Sequence, residues 1–333
     1  MTAAQTPLLE ARGLSKVFRV GGLFARNPQS VQALSDVSLS ISRGETVAIV
    51  GESGCGKSTL GRCLVRLMEP TSGEILLNGT PVEALLAKNP LDFRRAAQIV
   101  FQDPYASFNP RRTIGATLND PLRIHSGGDG SSRLSKAKHL LEQVGLPAEF
   151  LNRYPHELSG GQRQRVAIAR ALAPSPEFIV CDEAVSSLDV SVQAQIVNLL
   201  RDIQASTSVA LLFITHNLHL ARRIAHRIAV MYLGQIVEIG DADSVGNSPR
   251  HPYSRALFNA ALSVRRDFTD GVHARRSEVL SGEVPNPINL PTGCRFHARC
   301  SLAEDACRIK EPELRFRSEH GVRCPVTAPV EAR

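Results

Sequence analysis

The sequence predicts an α/β fold, a largely parallel sheet with helices between its strands. Three observations predict it. Thr46–Val50, Phe178–Cys181 and Val209–Ile214 are short apolar runs rich in β-branched residues, the pattern of parallel strands buried on both faces. Segments with helical spacing separate them. Thr46–Val50 also runs straight into glycine-rich Gly51–Gly56 and then into Ser58–Met68, where Leu60, Leu64, Leu67 and Met68 share one helix face.

The remaining elements follow in order. Leu8–Val20 and Val37–Ile41 alternate apolar and polar residues and read as strands, with a loop over Gly21–Gln32. Residues 104–173 read as mostly helical, interrupted by the Gly/Ser stretch Ser126–Ser132. Beyond Arg250 the character changes. Tyr253–Leu262 has helical spacing, and a Pro-, Arg- and Cys-rich tail with few apolar runs follows. There is no internal repeat.

The chain has 333 residues, 43% of them hydrophobic, and a net charge of +7 from 39 Lys+Arg against 32 Asp+Glu. This excludes a disordered chain and a disulfide-stapled mini-protein. It suits a domain of roughly 200–250 residues with its own core plus a smaller appendage. The mild positive balance reads as a solvated surface. Met1–Pro7 lacks the basic and apolar segments of a secretory signal. No apolar run approaches the roughly 20 residues that span a bilayer. The expectation is a cytosolic chain, soluble or held at a membrane by partners. In that compartment clustered cysteines point to metal before disulfides.

Gly51-Glu-Ser-Gly-Cys-Gly-Lys-Ser58 matches the phosphate-loop pattern G-x-x-x-x-G-K-[ST] in full. Its glycines let backbone N–H groups turn inward around phosphate oxygens. Lys57 places a point charge on the β/γ-phosphates, Ser58 offers a hydroxyl to Mg²⁺, and the following helix adds its positive dipole end. Cys55 reads as a small filler. Phe178-Ile-Val-Cys-Asp182-Glu183 delivers two acids to the carboxyl edge of the sheet. Asp182 can hold Mg²⁺ and Glu183 can polarise an attacking water as general base. Alone, such a pair reads equally well as a helix cap. Ser159-Gly160-Gly161 opens a second helix whose free N–H groups make an anion site. A second phosphate site in one chain makes sense if it serves another subunit's nucleotide.

Leu158-Ser-Gly-Gly-Gln162, followed by Arg-Gln-Arg-Val-Ala-Ile-Ala-Arg170, resembles the signature of ATP-binding cassette (ABC) proteins, and stands 20 residues ahead of Asp182. The resemblance covers roughly residues 8–250. It implies an ABC-type P-loop NTPase fold: a RecA-like core with antiparallel β and α-helical subdomains. The nucleotide-binding domain would be residues 1–250, with the helical part at about 104–173, and residues 251–333 would form a small Cys-rich extension. Gly51, Ser53, Gly54, Cys55, Gly56, Lys57, Ser58 and Thr59 would cradle ATP, with Ser58, Gln102 and Asp182 at Mg²⁺. Gln102 resembles the Q-loop glutamine. Asp189, in Ser187-Leu-Asp189, resembles the D-loop acid, and His216 the switch histidine, 33 residues after Glu183. Phe18 stands where the family stacks an aromatic on adenine, although a strand Phe is more often core. Ser159, Gly161 and Gln162 would meet the ATP of a second subunit. Ala184 departs from the family, which often has Pro there. The implied activity is ATP hydrolysis between two such domains, driving a membrane permease.

Finer strings narrow the resemblance: Phe101–Pro110, Arg111-Arg-Thr-Ile114, Val190–Gln195, Met231-Tyr-Leu-Gly234, His251-Pro-Tyr-Ser-Arg-Ala256 and Gly293–Cys300. They are similar to the ATPase subunits of dipeptide/oligopeptide importers, a subfamily shared with nickel, glutathione and opine or sugar importers. The partners so implied are a second, paralogous ATPase subunit, two permease subunits and, indirectly, a substrate-binding protein, at the cytoplasmic face of the inner membrane. No nucleic-acid partner is expected. A soluble cassette ATPase and a non-catalytic regulatory subunit are the competing classes. Cys294, Cys300, Cys307 and Cys324 are spaced C-x₅-C-x₆-C-x₁₆-C, without the C-x₂-C knuckle of structural zinc. The resemblance implies that they ligate a [4Fe–4S] cluster; zinc, or free or oxidised cysteines, are the alternatives.

Overall fold

The computed structural model describes residues 6–20, 29–125, 127–266 and 285–327. In chain order the elements are β1 (Leu9–Val20), β2 (Gln29–Ile41), β3 (Thr46–Val50), α1 (Lys57–Leu64), β4 (Ser72–Leu77), β5 (Thr80–Pro81), α2 (Val82–Lys88), α3 (Pro90–Ala96), β6 (Ala97–Val100), α4 (Ile114–His125), α5 (Gly130–Gln143), α6 (Gly160–Leu172), β7 (Phe178–Asp182), α7 (Val190–Thr207), β8 (Ala210–Ile214), α8 (Leu218–Ile224), β9 (Arg227–Tyr232), β10 (Gln235–Asp241), α9 (Ala242–Asn247), α10 (Pro252–Arg266), α11 (Ala306–Ile309), β11 (Arg315–Arg317) and β12 (His320–Val322).

The core sheet has the order β11-β12-β10-β9-β3-β8-β7-β6. Its middle, from β9 to β6, is parallel. β3, β7 and β8 are buried along their whole length, because helices cover both faces of a parallel sheet. α1 lies so close to it that a Cβ on Gly61 would sit 2.8 Å from Val180 Cγ1 and 2.9 Å from Ile214 Cδ1. A second, antiparallel sheet, β2-β1-β4-β5, packs its apolar face on α1. Between β6 and β7 every described element is helical, and α4, α5 and α6 share one core with α7.

Much of the expected Gly21–Gln32 loop lies outside the described residues. Residues 29–32 are strand, held by pairing with β1 from Val20↔Gln29 to Val17↔Gln32. No turn signal in the sequence marks the β9–β10 hairpin. Its two-residue turn is Leu233-Gly234, both at positive φ (42° and 82°). A leucine in that conformation is strained, so the usual Asn-Gly or Asp-Gly signal is absent.

The C-terminal segment joins the core. β12 pairs with β10, adding the β11–β12 hairpin to the sheet edge. His251 opens α10 in a pocket beside Phe296, with ring centroids 5.7 Å apart, and its Nδ1 accepts the Tyr253 N–H. Buried Glu238 on β10 accepts from the N–H groups of Arg250 (2.7 Å) and His251 (2.9 Å) and pairs with His320 Nε2 at 2.8 Å. Burial pushes the His251 pKa down from 6.5 to about 4. A depressed folded-state pKa means that the unfolded chain binds the proton first as pH falls. Stability from this group is whole above pH 6.5 and lost as pH falls towards 4, by roughly 3 kcal/mol. Thermal unfolding across that range is expected to show the loss, and His251→Gln to flatten it.

Candidate functional site

The carboxyl ends of β3 and β7 open onto one cleft, and the segment after β6 joins them, as ligand sites in open α/β sheets do. The cleft holds about 300 Å³. Ser53, Gly54, Gly56, Lys57, Ser58 and Thr59 line it together with Gln102 and Glu183. The geometry of the loop follows from its glycines. Gly51, Gly54 and Gly56 take φ of 150°, 78° and 106°. A Cβ at Gly51 would lie 2.2 Å from the Met231 carbonyl oxygen. Lys57 is buried and donates to the carbonyls of Gly51 (2.9 Å) and Glu52 (2.8 Å).

Ser58 Oγ donates to Asp182 Oδ1 at 2.6 Å, and Arg62 stands 3.7 Å from the other carboxylate oxygen. Burial raises the Asp182 pKa against the pull of Ser58 and Arg62. Two hard oxygen donors so close fit a small divalent cation such as Mg²⁺. Glu183 is held at φ 48°, its N–H bonded to the Ile214 carbonyl, and its carboxylate lies 3.7 Å from His216 Nδ1. A non-glycine residue in left-handed conformation beside a cleft is a common mark of a functional position. His216 follows β8, is largely exposed and does not itself line the cleft, whereas Glu183 does.

Other expected residues lie elsewhere. Gly51 and Cys55 sit behind the lining, and the Cys55 thiol is raised by burial, as suits a filler. Phe18 is half-buried, with Lys16 Nζ 5.3 Å from its ring centre. It does not line the cleft, although its cross-strand neighbour Val31 does. Ser159, Gly161, Gln162 and Asp189 are absent from this cleft. Ser159 caps α6 by accepting the Gln162 N–H, and the Gln162 side chain accepts the Ser159 N–H in return. Gly161 has a packing reason as well: a Cβ there would lie 2.7 Å from Val192 Cγ1 of α7.

The walls that sequence reasoning missed are Val31, Gln32 and Ala33 of β2, the Leu233-Gly234 turn, and Pro287. The turn lay inside the Met231–Gly234 string, which carried the only signal. A roomier cavity of about 680 Å³ lies between α5 and the opposite edge of the sheet, bordered by Arg43, Lys136, His139 and Val209. None of the expected site residues reaches it.

The tail thiols of Cys294, Cys307 and Cys324 are buried. Burial pushes Cys294 up to about 11, and the nearby thiols of Cys324, Cys307 and Cys300 add to this. Among the described residues, no group of three or more His, Cys, Asp or Glu could hold a metal ion. The expected [4Fe–4S] cluster, and zinc in its place, find no support in this arrangement of side chains.

Residues 34–186 match the family described as ABC transporter. A probable peptide ABC transporter ATP-binding protein of Sinorhizobium fredii, y4tS, is 48% identical over 98% of this chain and 91% of its own length. This chain belongs to the ABC transporter ATP-binding family. Two further relatives of the cassette are AppF of Bacillus subtilis, an oligopeptide transport ATP-binding protein (44% identity, 97% of this chain, 99% of that one), and DppF of Haemophilus influenzae, a dipeptide transport ATP-binding protein (47%, 93%, 93%). Residues 237–307 match the oligopeptide/dipeptide transporter C-terminal region. The fold of the cassette is similar to that of the ATP-binding cassette MJ0796, solved as a dimer in a post-hydrolysis state with ADP and Pi: 30% identity, TM-score 0.63, covering 70% of this chain and 98% of that one. Among the described residues, no helix of the cassette is long and apolar enough to cross a membrane.

Proposed function

We propose that this chain hydrolyses ATP as the motor subunit of a membrane importer of dipeptides or oligopeptides. The observation that carries this is the convergence of Lys57, Ser58, Gln102 and Glu183 on one cleft at the carboxyl edge of the sheet. In it, Lys57 leaves the carbonyls of Gly51 and Glu52 for the β/γ-phosphates. Ser58 and Asp182, with Gln102 nearby, are the residues that would hold Mg²⁺, which supplies charge neutralisation at the phosphates. Glu183 orients a water and accepts its proton as the γ-phosphoryl group leaves ADP. His216 donates a hydrogen bond to that group. Phe18, next to Val31, offers a ring for the base.

The α6 start, at Ser159–Gln162, serves the nucleotide of a second ATPase subunit. The position of these residues away from the cleft supports this, as do the exposure of Asp189 and the 82% exposure of apolar Val190 beside it. The peptide substrate is supported by the printed names of the relatives and by the match at residues 237–307. The same motor would serve a nickel or glutathione importer, so transport itself is the test. Reconstituted with its permease and binding protein, the chain is expected to support ATP-dependent uptake of labelled di- or oligopeptides. Hydrolysis coupled to nickel or glutathione uptake, with no peptide uptake, would remove the peptide assignment. Hydrolysis independent of any permease would favour a soluble ATPase.

A cluster on Cys294, Cys300, Cys307 and Cys324 is a separate proposal, favoured only by the closeness of the four thiols. Anaerobic purification with iron and zinc analysis tests it, and a chain without either metal sinks it.

A further inference from the structure

We infer that Arg299, far along the chain in the C-terminal segment, sets the ATP affinity of the phosphate loop by cancelling the charge of Glu52. This rests on the cleft being an ATP site. Glu52 is the first variable residue of Gly51–Ser58, so the loop that must hold a polyanion carries a carboxylate of its own. Left uncompensated, that carboxylate repels a bound triphosphate.

Arg299 meets it with a two-pronged contact: Nη1 to Oε2 at 2.9 Å and Nη2 to Oε1 at 3.1 Å. The Arg299 side chain is only 6% exposed, and its Nη1 also reaches Tyr232 Oη at 3.4 Å. A sheltered, bidentate guanidinium–carboxylate pair is among the strongest and most geometrically fixed of ionic contacts. The backbone of Glu52 is tied from the same side, its N–H donating to Tyr253 Oη of α10 at 2.9 Å. Both anchors hold the residue from outside the loop.

The same segment also grips the other wall. Arg295 donates to the Leu233 carbonyl and, at 2.7 Å, to Ser35 Oγ. Leu233 is the strained turn residue that lines the cleft. Phe296, between the two arginines in sequence, packs edge-on against Tyr232 at 5.3 Å and, tilted, against Tyr253 at 5.5 Å, anchoring the segment that carries them. Pro287 reaches the cleft itself. The C-terminal segment is thus an outer wall of the nucleotide site, and Arg299 is the positioning residue within it.

The test is Mg-ATP binding by the full chain, with four proteins compared: wild type, Arg299→Met, Glu52→Gln and the double variant. Removing the arginine alone leaves a bare carboxylate in the loop, and ATP affinity is expected to fall about tenfold or more. Removing both charges is expected to restore affinity to within about twofold of wild type, and Glu52→Gln alone to bind at least as tightly as wild type. The rescue separates charge cancellation from a role in holding the tail, because the double variant lacks the tether too. Arg299→Met binding like wild type overturns the inference. So does a double variant as weak as Arg299→Met, whose defect would then be structural. A wild-type chain that fails to bind Mg-ATP defeats the nucleotide-site assignment itself.

Discussion

Glu183→Gln is expected to cut ATP turnover by about 10²–10⁴-fold while ATP binding persists. The amide keeps the shape of the side chain and can still stand beside His216, where the carboxylate now lies 3.7 Å away. It cannot accept the proton of an attacking water. The side chains proposed to hold the nucleotide, Lys57, Ser58 and Asp182, are untouched. The measurement is hydrolysis by the assembled transporter together with nucleotide binding by the chain. Near-normal hydrolysis would remove Glu183 from the base role, and loss of binding as well would mean that the side chain shapes the cleft.

Gly56→Ala is expected to damage the loop severely. Gly56 caps α1 at φ 106°, and a Cβ there would lie 2.3 Å from the Ala33 carbonyl oxygen, which belongs to the backbone of β2 and cannot swing away. The antiparallel sheet and the loop would have to separate. A loss of about 3 kcal/mol is expected, lowering the Tm by roughly 5–10 °C and abolishing ATP binding. Gly54→Ala is the control. Gly54 has φ 78° but open space around it, so only the left-handed strain of roughly 1–2 kcal/mol applies. Equal damage from the two substitutions would show that the close approach of β2 does not matter.

The parts of the site carried by a contiguous string were legible, because spacing alone fixes their geometry. Lys57 and Ser58 open α1 directly behind the glycines, and Asp182 and Glu183 end a buried strand. The parts built across the chain were not legible. Nothing in the tail's composition ties Arg299 to Glu52, 247 residues away. His251 looked like part of a family string, and its reason is burial among Phe296, Tyr253 and Glu238. The Leu233-Gly234 turn escaped because its residues violate turn preference, and contacts from Arg295 compensate. The four cysteines show the converse. Their clustering and the resemblance pointed to a metal; the fold buries three of the four thiols near one another, and among the described residues no group of three or more His, Cys, Asp or Glu is placed to hold an ion.

The sequence by itself determined the α/β class, the positions of three buried parallel strands, the phosphate loop and the acid pair. The loop and the acid pair each depend on one short string, and the fold class on a few such strings, where backbone geometry and side-chain period leave little freedom. Only the tertiary structure decided that the C-terminal segment completes the core sheet and walls the cleft, that Ser159–Gln162 stands outside that cleft, and that the loop's own carboxylate is neutralised from afar. Those outcomes depend on packing between segments far apart in the chain, and a pairing of that kind leaves no periodic trace in either partner.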